Sequence, residues 1–171
     1  MTRPIIRSLV WATPAVLSYL GVAPLLACAV DRHFGFNWPL PVWIWRLAPT
    51  LTLAGSAIVL WAAWLFSTRG QGTPNPLSPP QNLVLDGPYR YTRNPIMLGG
   101  WLAGFSLALF LRSPSLLVAY FLIVVTGYIY VRAIEEPRLL DRFGDSYREY
   151  MRSVPRWLVI CLALLGTRSL C

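Results

Sequence analysis

Hydrophobic positions run along this chain in long unbroken blocks, not in alternation. Residues 8–30 hold 23 positions without a charge. As an α-helix that is roughly 34 Å, enough to cross a hydrocarbon core of about 30 Å. A second block covers residues 42–66, with Arg46 near its start, where a long side chain reaches the headgroups. A third block, residues 94–111, is short but crosses where the bilayer thins slightly. The fourth, residues 113–131, follows a connection of only residues 112–115, which predicts a tight antiparallel hairpin.

After Pro137 the period changes. Leu139, Leu140, Phe143, Tyr147, Tyr150 and Met151 recur at helical spacing, and Arg138, Arg142, Asp145, Arg148 and Arg152 take the positions between them. This predicts one amphipathic helix lying on the inner membrane surface, ended by Val154 and Pro155. Residues 157–165 are apolar but, at nine positions, too short to cross. The pattern therefore predicts an all-α integral membrane protein, a single membrane domain over residues 1–171. It has about four transmembrane helices plus a C-terminal amphipathic interfacial helix within the tail 137–171.

Composition agrees. Of 171 residues, 56% are hydrophobic and 13% charged, against roughly 45–50% and 25% in soluble domains. Disorder and an ordinary water-soluble globule are both excluded. Net charge is +8, and all fifteen basic residues are Arg, against seven acidic ones. A basic excess suits nucleic acid or a membrane surface. Here the Arg residues sit between apolar blocks, which favours the membrane and leaves no nucleic-acid partner. With the N-terminus inside, Arg3, Arg7, Arg69, Arg90, Arg93, Arg132, Arg138, Arg142, Arg148, Arg152, Arg156 and Arg168 are inner, and Arg32, Arg46 and Arg112 outer. That asymmetry predicts an N-in/C-in topology. Leu25, Leu26, Ala27 and Cys28 resemble a lipoprotein cleavage box, but a mature lipoprotein does not carry three further spans. Cys28, Cys161 and Cys171 lack metal-ligand spacing, so they read as small apolar residues or free thiols with no metal site.

Candidate chemistry concentrates in the inner connection, residues 68–95, which is long for a simple linker. Five prolines between Pro74 and Pro88 hold it in extended and turn conformations. Arg93, Asn94 and Pro95 open the third block, with Pro95 placed in a first helical turn and Asn94 as its cap. Glu135 and Glu136 close the fourth block, so the hairpin brings both sets to one face. The helix start suits an anionic group, and the carboxylates suit an ammonium or ribose hydroxyls. Taken alone, Glu135 and Glu136 also read as a solvated pair neutralised by Arg132 and Arg138. Gly99, Gly100 and Gly104 include a G-x-x-x-G, which favours close helix packing over a ligand loop.

At these residues the chain resembles a family. G-P-Y-R-Y-T-R-N-P-I-M-L-G, followed by E-E-P-R-L-L-D-R-F-G-D-S-Y-R-E-Y-M-R-S-V-P-R, is similar to the isoprenylcysteine carboxyl methyltransferase and phospholipid methyltransferase group of integral-membrane enzymes. The upstream G-Q-G-T-P-N-P-L-S-P-P-Q-N-L-V resembles its bacterial members. The resemblance covers about residues 70–157. It implies S-adenosyl-L-methionine as cofactor, S-adenosyl-L-homocysteine as product, and a cofactor site on the cytoplasmic side of a bacterial inner membrane. The family's R-H-P-x-Y-x-G falls on Arg93, Asn94, Pro95, Met97 and Gly99, with Asn94 in place of His and Met97 in place of Tyr. By the same resemblance Gln81, Asn82, Leu83, Val84 and Tyr89 line the cofactor site, and Glu135 with Glu136 holds its polar end. The family's substrate-contacting Arg precedes the acidic pair. Val131 stands at that place here and Arg132 follows, so Arg132 is assigned to substrate.

The implied partner is a membrane lipid or lipophilic small-molecule acceptor, with no obligate protein partner. A carboxylate, as in a prenylcysteine, is already ionised at pH 7, whereas an ethanolamine ammonium must first lose a proton. The sole histidine, His33, falls in the outer connection, which favours the carboxylate and assigns no catalytic residue. Phospholipid (ethanolamine) N-methylation stays open, as do a non-catalytic lipid-binding protein and a membrane reductase using a nicotinamide cofactor.

Overall fold

A computed structural model describes residues 18–36, 38–71 and 80–157, and it is all-α there. The start of the first apolar block, Pro74, Pro76 and Pro79, and the apolar tail end from residue 158 lie outside the described residues.

A π-turn at Ser18–Val22 leads into α1 (Ala23–Phe34), which stops at Gly35 with φ +69°. Helix α2 is Val42–Thr68, α3 is Pro95–Phe110 and α4 is Pro114–Tyr130. The α4 helix continues through a π-turn, Val131–Glu135, into α5 (Glu136–Phe143), and α6 (Asp145–Ser153) follows. The single amphipathic helix expected of the tail is thus two, because Gly144 at φ +53°, ψ −126° breaks it. Tyr147 and Tyr150, expected on a membrane-facing stripe, are instead buried inside the protein.

Helices α2 and α3 pack antiparallel at backbone distance. Ala48, Gly55 and Ala62 recur every seventh residue on the buried face of α2, the spacing that holds one seam toward a neighbouring helix. Opposite them stand Gly99, Ala103 and Ser106, all buried on α3. The Thr52 hydroxyl donates to Ser106 Oγ across the seam at 3.0 Å. The G-x-x-x-G divides in function. Gly104 lies against the Tyr120 ring, while Gly100 has open space beside it and offers its carbonyl to the Tyr19 hydroxyl at 2.8 Å.

Val42–Thr68, and Pro114–Phe143 taken as one continuous helix, are long and apolar enough to cross a membrane; Pro95–Phe110 is apolar but shorter. Leu53 and Leu60 are 72% and 70% exposed, an apolar outer surface that an aqueous protein seldom presents in continuous form.

Three residues, Leu111, Arg112 and Ser113, join α3 to α4, with Arg112 at φ +52°. Ser113 Oγ caps α4 by accepting from Leu116 N at 3.1 Å. The buried Asp31 carboxylate, reaching over from α1, accepts from the Ser113 hydroxyl and from Ser115 N at 3.2 Å. Burial pushes Asp31 up, but the bonds from Ser113 and Ser115 outweigh it and hold the carboxyl below its ordinary value. Asp31→Asn is expected to lower stability by about 1–2 kcal/mol at neutral pH, the value of a charged helix cap. Because the folded pKa is depressed, this contribution is full above about pH 4 and fades as pH falls through the folded pKa. Thermal unfolding in detergent against pH checks it; a wild-type minus variant difference that stays constant into acid refutes the capping account.

Candidate functional site at the start of α3

The chain leaving α2 is stitched back on itself. The Gly70 carbonyl accepts from Gln81 N at 2.8 Å and from Asn82 N at 3.2 Å. Val84 then buries with Ala62, Leu65 and Tyr89. Gly87, at φ +59°, passes so close to α2 that a Cβ there would lie 2.6 Å from Leu65 Cδ1. The 3-10 turn Gly87–Arg90 turns Tyr89 inward, its ring 6.3 Å from that of Phe66. Outside, Asp86 pairs with Arg69 and with Arg90, and the Arg69 hydrogen bond holds its carboxyl below the ordinary range.

At the α3 start the side chains do something the sequence did not announce. Asn94 does not cap the helix. Its Nδ2 donates to the Arg156 carbonyl at 3.2 Å, and Thr92 Oγ1 donates to the same oxygen at 3.0 Å. Arg93 N donates to the Pro155 carbonyl at 3.0 Å. The cap is lost because the returning chain after α6 holds the Asn94 amide by its Nδ2 end, and Oδ1 accepts from no N–H of the first α3 turn. Pro95 does occupy the first helical turn, and the first helical bond is Leu98 N to Asn94 O. The Ile96 and Met97 N–H groups therefore have no acceptor within the helix.

Glu136 lies at the centre of the cluster. Arg93 Nη1 stands 2.8 Å from its Oε1, and the two side chains are 8% and 6% exposed. Arg156 grips it twice, Nε to Oε1 at 2.9 Å and Nη2 to Oε2 at 2.5 Å. That pairing raises the Arg156 pKa above its ordinary value. Arg93 Nη1, though ion-paired, makes no aligned hydrogen bond, and Arg93 Nε and Trp157 Nε1 are likewise buried without an acceptor among the described residues. Glu135, half-buried beside Glu136, has neither hydrogen bond nor ion pair among the described residues. Burial, with Glu136 adding and Arg93 opposing, pushes the Tyr147 phenol up to about 12. The Tyr150 hydroxyl donates to the Tyr89 carbonyl at 2.7 Å, fastening α6 onto the loop.

The structure therefore brings Arg93, Asn94, Pro95 and Glu136 into one cluster, with Glu135 beside it. It turns Gly99 toward α2, where a Cβ would meet the Gly55 carbonyl oxygen at 2.7 Å. Met97 faces α4, its Sδ 3.8 Å from where a Cβ on Gly127 would lie. Val84 and Tyr89 are buried against α2, Leu83 is half-buried, and Gln81 and Asn82 are exposed on the loop. Arg132 is exposed. The partners of Glu136 are Arg93 and Arg156, not the Arg132 and Arg138 of the solvated-pair reading. Sequence reasoning missed Arg156, Thr92 and Trp157; the one signal was that the quoted motif ran on past the helix stop at Pro155 to Arg156.

The profile of the phospholipid methyltransferase family matches residues 43–146, a stretch that holds α2 to α5 and most of this cluster. The chain belongs to the phospholipid methyltransferase family. It is similar to a phosphatidylethanolamine N-methyltransferase of Yarrowia lipolytica, 34% identical over 68 residues. Those residues are 40% of this chain and 7% of that protein, so the chain spans a small part of the relative it matches. Family membership supports methyltransferase chemistry with S-adenosyl-L-methionine as methyl donor.

Proposed function

We propose that this chain is an integral-membrane methyltransferase that carries a methyl group from S-adenosyl-L-methionine to a lipid-borne acceptor at the cytoplasmic face. The observation that carries the reading is the convergence of Arg93 and Asn94 with Glu135 and Glu136 at one end of the α3–α4 hairpin, inside the family-matched stretch. In this reading the chain is one membrane domain, N-in/C-in, with spans near residues 8–30, 42–66, 94–111 and 113–131. The site loop 68–95 and the interfacial tail 137–171 then lie on the inner side.

The residues present fit the cofactor. Its α-carboxylate suits Arg93 Nε and the N–H groups of the first α3 turn, which have no acceptor among the described residues; its ammonium and ribose hydroxyls suit Glu135, unpaired among those residues. When bound, the cofactor supplies an electrophilic methyl group on a sulfonium: transfer forms the bond from acceptor to carbon and breaks the carbon–sulfur bond, whose electron pair stays on sulfur. What remains for the chain is to hold two reactants in line and exclude water. Gln81, Asn82 and Leu83 form the rim, and the buried Val84 and Tyr89 hold that rim on α2.

The family and the Yarrowia relative favour an ethanolamine phospholipid as acceptor over the prenylcysteine-like carboxylate. An ammonium must lose a proton before its nitrogen lone pair attacks, and with Glu135 engaged by the cofactor, solvent water at the loop rim takes it. Exposed Arg132 then holds the lipid phosphate. One observation keeps the carboxylate acceptor as a second reading: His33 sits on α1 near the α3–α4 turn, at the far end from the site. No histidine among the described residues stands near the cluster.

Calorimetric titration of the full chain in detergent with S-adenosyl-L-homocysteine, with NADPH as control, tests the reading. Saturable binding of the first alone is expected; binding of NADPH alone transfers the chain to the reductase class. Glu135→Ala is expected to weaken binding about tenfold, the loss of one charged contact. Unchanged affinity would make Glu135 a surface feature. Labelled methyl transfer to phosphatidylethanolamine, and not to a prenylcysteine analogue, decides the acceptor.

A further inference from the structure

We infer that residues 154–157 form a strap that sets the geometry of the ligand-facing end, with Arg156 as its positioning residue. The inference rests on the methyltransferase reading and adds to it a residue outside the family-matched stretch, residues 43–146.

Arg156 acts in two directions at once. Its backbone carbonyl takes hydrogen bonds from Thr92 and Asn94 at 3.0 and 3.2 Å, which fixes the approach to α3. Its guanidinium occupies both oxygens of Glu136, which fixes the start of α5. Its neighbours tighten the same joint. The Pro155 carbonyl holds Arg93 N at 3.0 Å. The Trp157 ring lies 4.5 Å from Trp101 on α3 and 6.2 Å from Tyr128 on α4. One short segment thus touches the two helices and the loop that meet at the site.

The consequence is a division of labour within the acidic pair. Glu136 has both oxygens committed to Arg93 and Arg156, so it positions its neighbours. Glu135 has no partner among the described residues and remains for the ligand. Arg93 stands beside them: Glu136 neutralises it through Nη1, while its buried Nε has no acceptor among the described residues and keeps hydrogen-bonding capacity that an anionic oxygen can use. If the Arg156 side chain is removed, Glu136 is free to shift toward Arg93 and claim that capacity, and the strap whose Arg156 carbonyl holds Thr92 and Asn94 loses its anchor on α5.

The test uses the full chain in detergent. S-adenosyl-L-homocysteine affinity is measured for wild type, Arg156→Ala, Arg156→Lys, Glu136→Ala and the double variant, each well below its own unfolding temperature. Hydrogen exchange of residues 89–98 is followed in parallel without ligand. Arg156→Ala is expected to raise Kd about tenfold. Arg156→Lys, which keeps the charge but not the fork, recovers only part of that. The double variant is expected to bind no more weakly than Glu136→Ala alone, because the pair acts as one unit. Exchange at residues 89–98 is expected to quicken in Arg156→Ala while residues 50–60 of α2 stay protected.

A merely structural role lowers the unfolding temperature and leaves Kd of the folded protein within twofold of wild type; that result overturns the inference. So does full additivity in the double variant. Should the alanine variant not fold, the lysine variant is read by the same two measurements. Failure of wild type to bind at all would remove the methyltransferase reading instead, and the exchange comparison would still decide whether the strap holds the α3 start.

Discussion

Glu136→Ala is expected to lose about 3–5 kcal/mol of stability, the range for breaking a buried ion pair by removing one partner. The alanine leaves two guanidinium groups without their shared carboxylate, and one of them, Arg93, has a side chain only 8% exposed. Arg156 reaches solvent more easily at 26% exposed, so the larger share of the loss falls on Arg93. Glu136→Gln should fall between wild type and alanine, since an amide keeps one acceptor oxygen but not the charge. The control is one residue away. Glu135→Ala removes a carboxylate that touches no partner among the described residues, so its stability should stay within about 0.5 kcal/mol of wild type. Denaturant unfolding in detergent separates them. Equal losses at the two positions would mean that the described pairing of Glu136 is wrong.

That contrast also marks how far the sequence could be read. Two adjacent glutamates are identical in composition, charge and predicted helix position; what distinguishes them is which guanidinium groups arrive from elsewhere. The residues that arrive come from 43 positions upstream, Arg93, and 20 positions downstream, Arg156. Among fifteen arginines, no periodicity selects those two. Arg132 and Arg138 were nearer in sequence, but both are exposed and neither pairs with Glu136. The long apolar helices were legible for the opposite reason. Continuous hydrophobicity is a local property, and the observed α2 and α4 begin within one residue of the expected blocks. The hairpin was legible because a connection of three residues keeps the two helices adjacent, and two apolar blocks that each cross a bilayer must then run in opposite directions.

The tail shows a middle case. Its helical period was correct, and so was its stop at Val154. Its apolar period predicts a lipid-facing stripe, whereas Tyr147 and Tyr150 are buried, and the Tyr150 hydroxyl reaches the Tyr89 carbonyl. A moment along a helix says that one face is apolar without saying what covers it. Gly144 was visible in the sequence, and only its backbone, at φ +53°, reveals that the chain breaks into two helices there. Asn94 failed as a cap for a similar reason. Its preference for helix starts is a few tenths to about 2 kcal/mol, which a tertiary acceptor placed by the strap can outweigh.

Gly55→Ala should separate α2 from α3 and destabilise the fold by about 1–3 kcal/mol, the usual range for overpacking. In an ordinary helix the same change would help by about 0.5–1 kcal/mol, because alanine restricts the unfolded chain. Here the sign reverses. The added Cβ would lie 2.6 Å from the Gly99 carbonyl oxygen and 2.7 Å from Ala103 N, and both are backbone atoms that no rotamer change can move. Separation would also break the Thr52–Ser106 hydrogen bond and loosen Ile96 from Ala62, Leu65, Val84 and Tyr89, the packing that seats the α3 start. Ligand affinity should therefore fall together with stability. Gly100→Ala gives the comparison on the facing helix: nothing lies within 4 Å of its Cβ position, so it should be neutral or stabilising. Thermal unfolding of both variants in detergent, with S-adenosyl-L-homocysteine titration of each, checks the pair. A Gly55→Ala protein as stable as wild type would show that the two helices do not meet at the distance on which the site's placement depends.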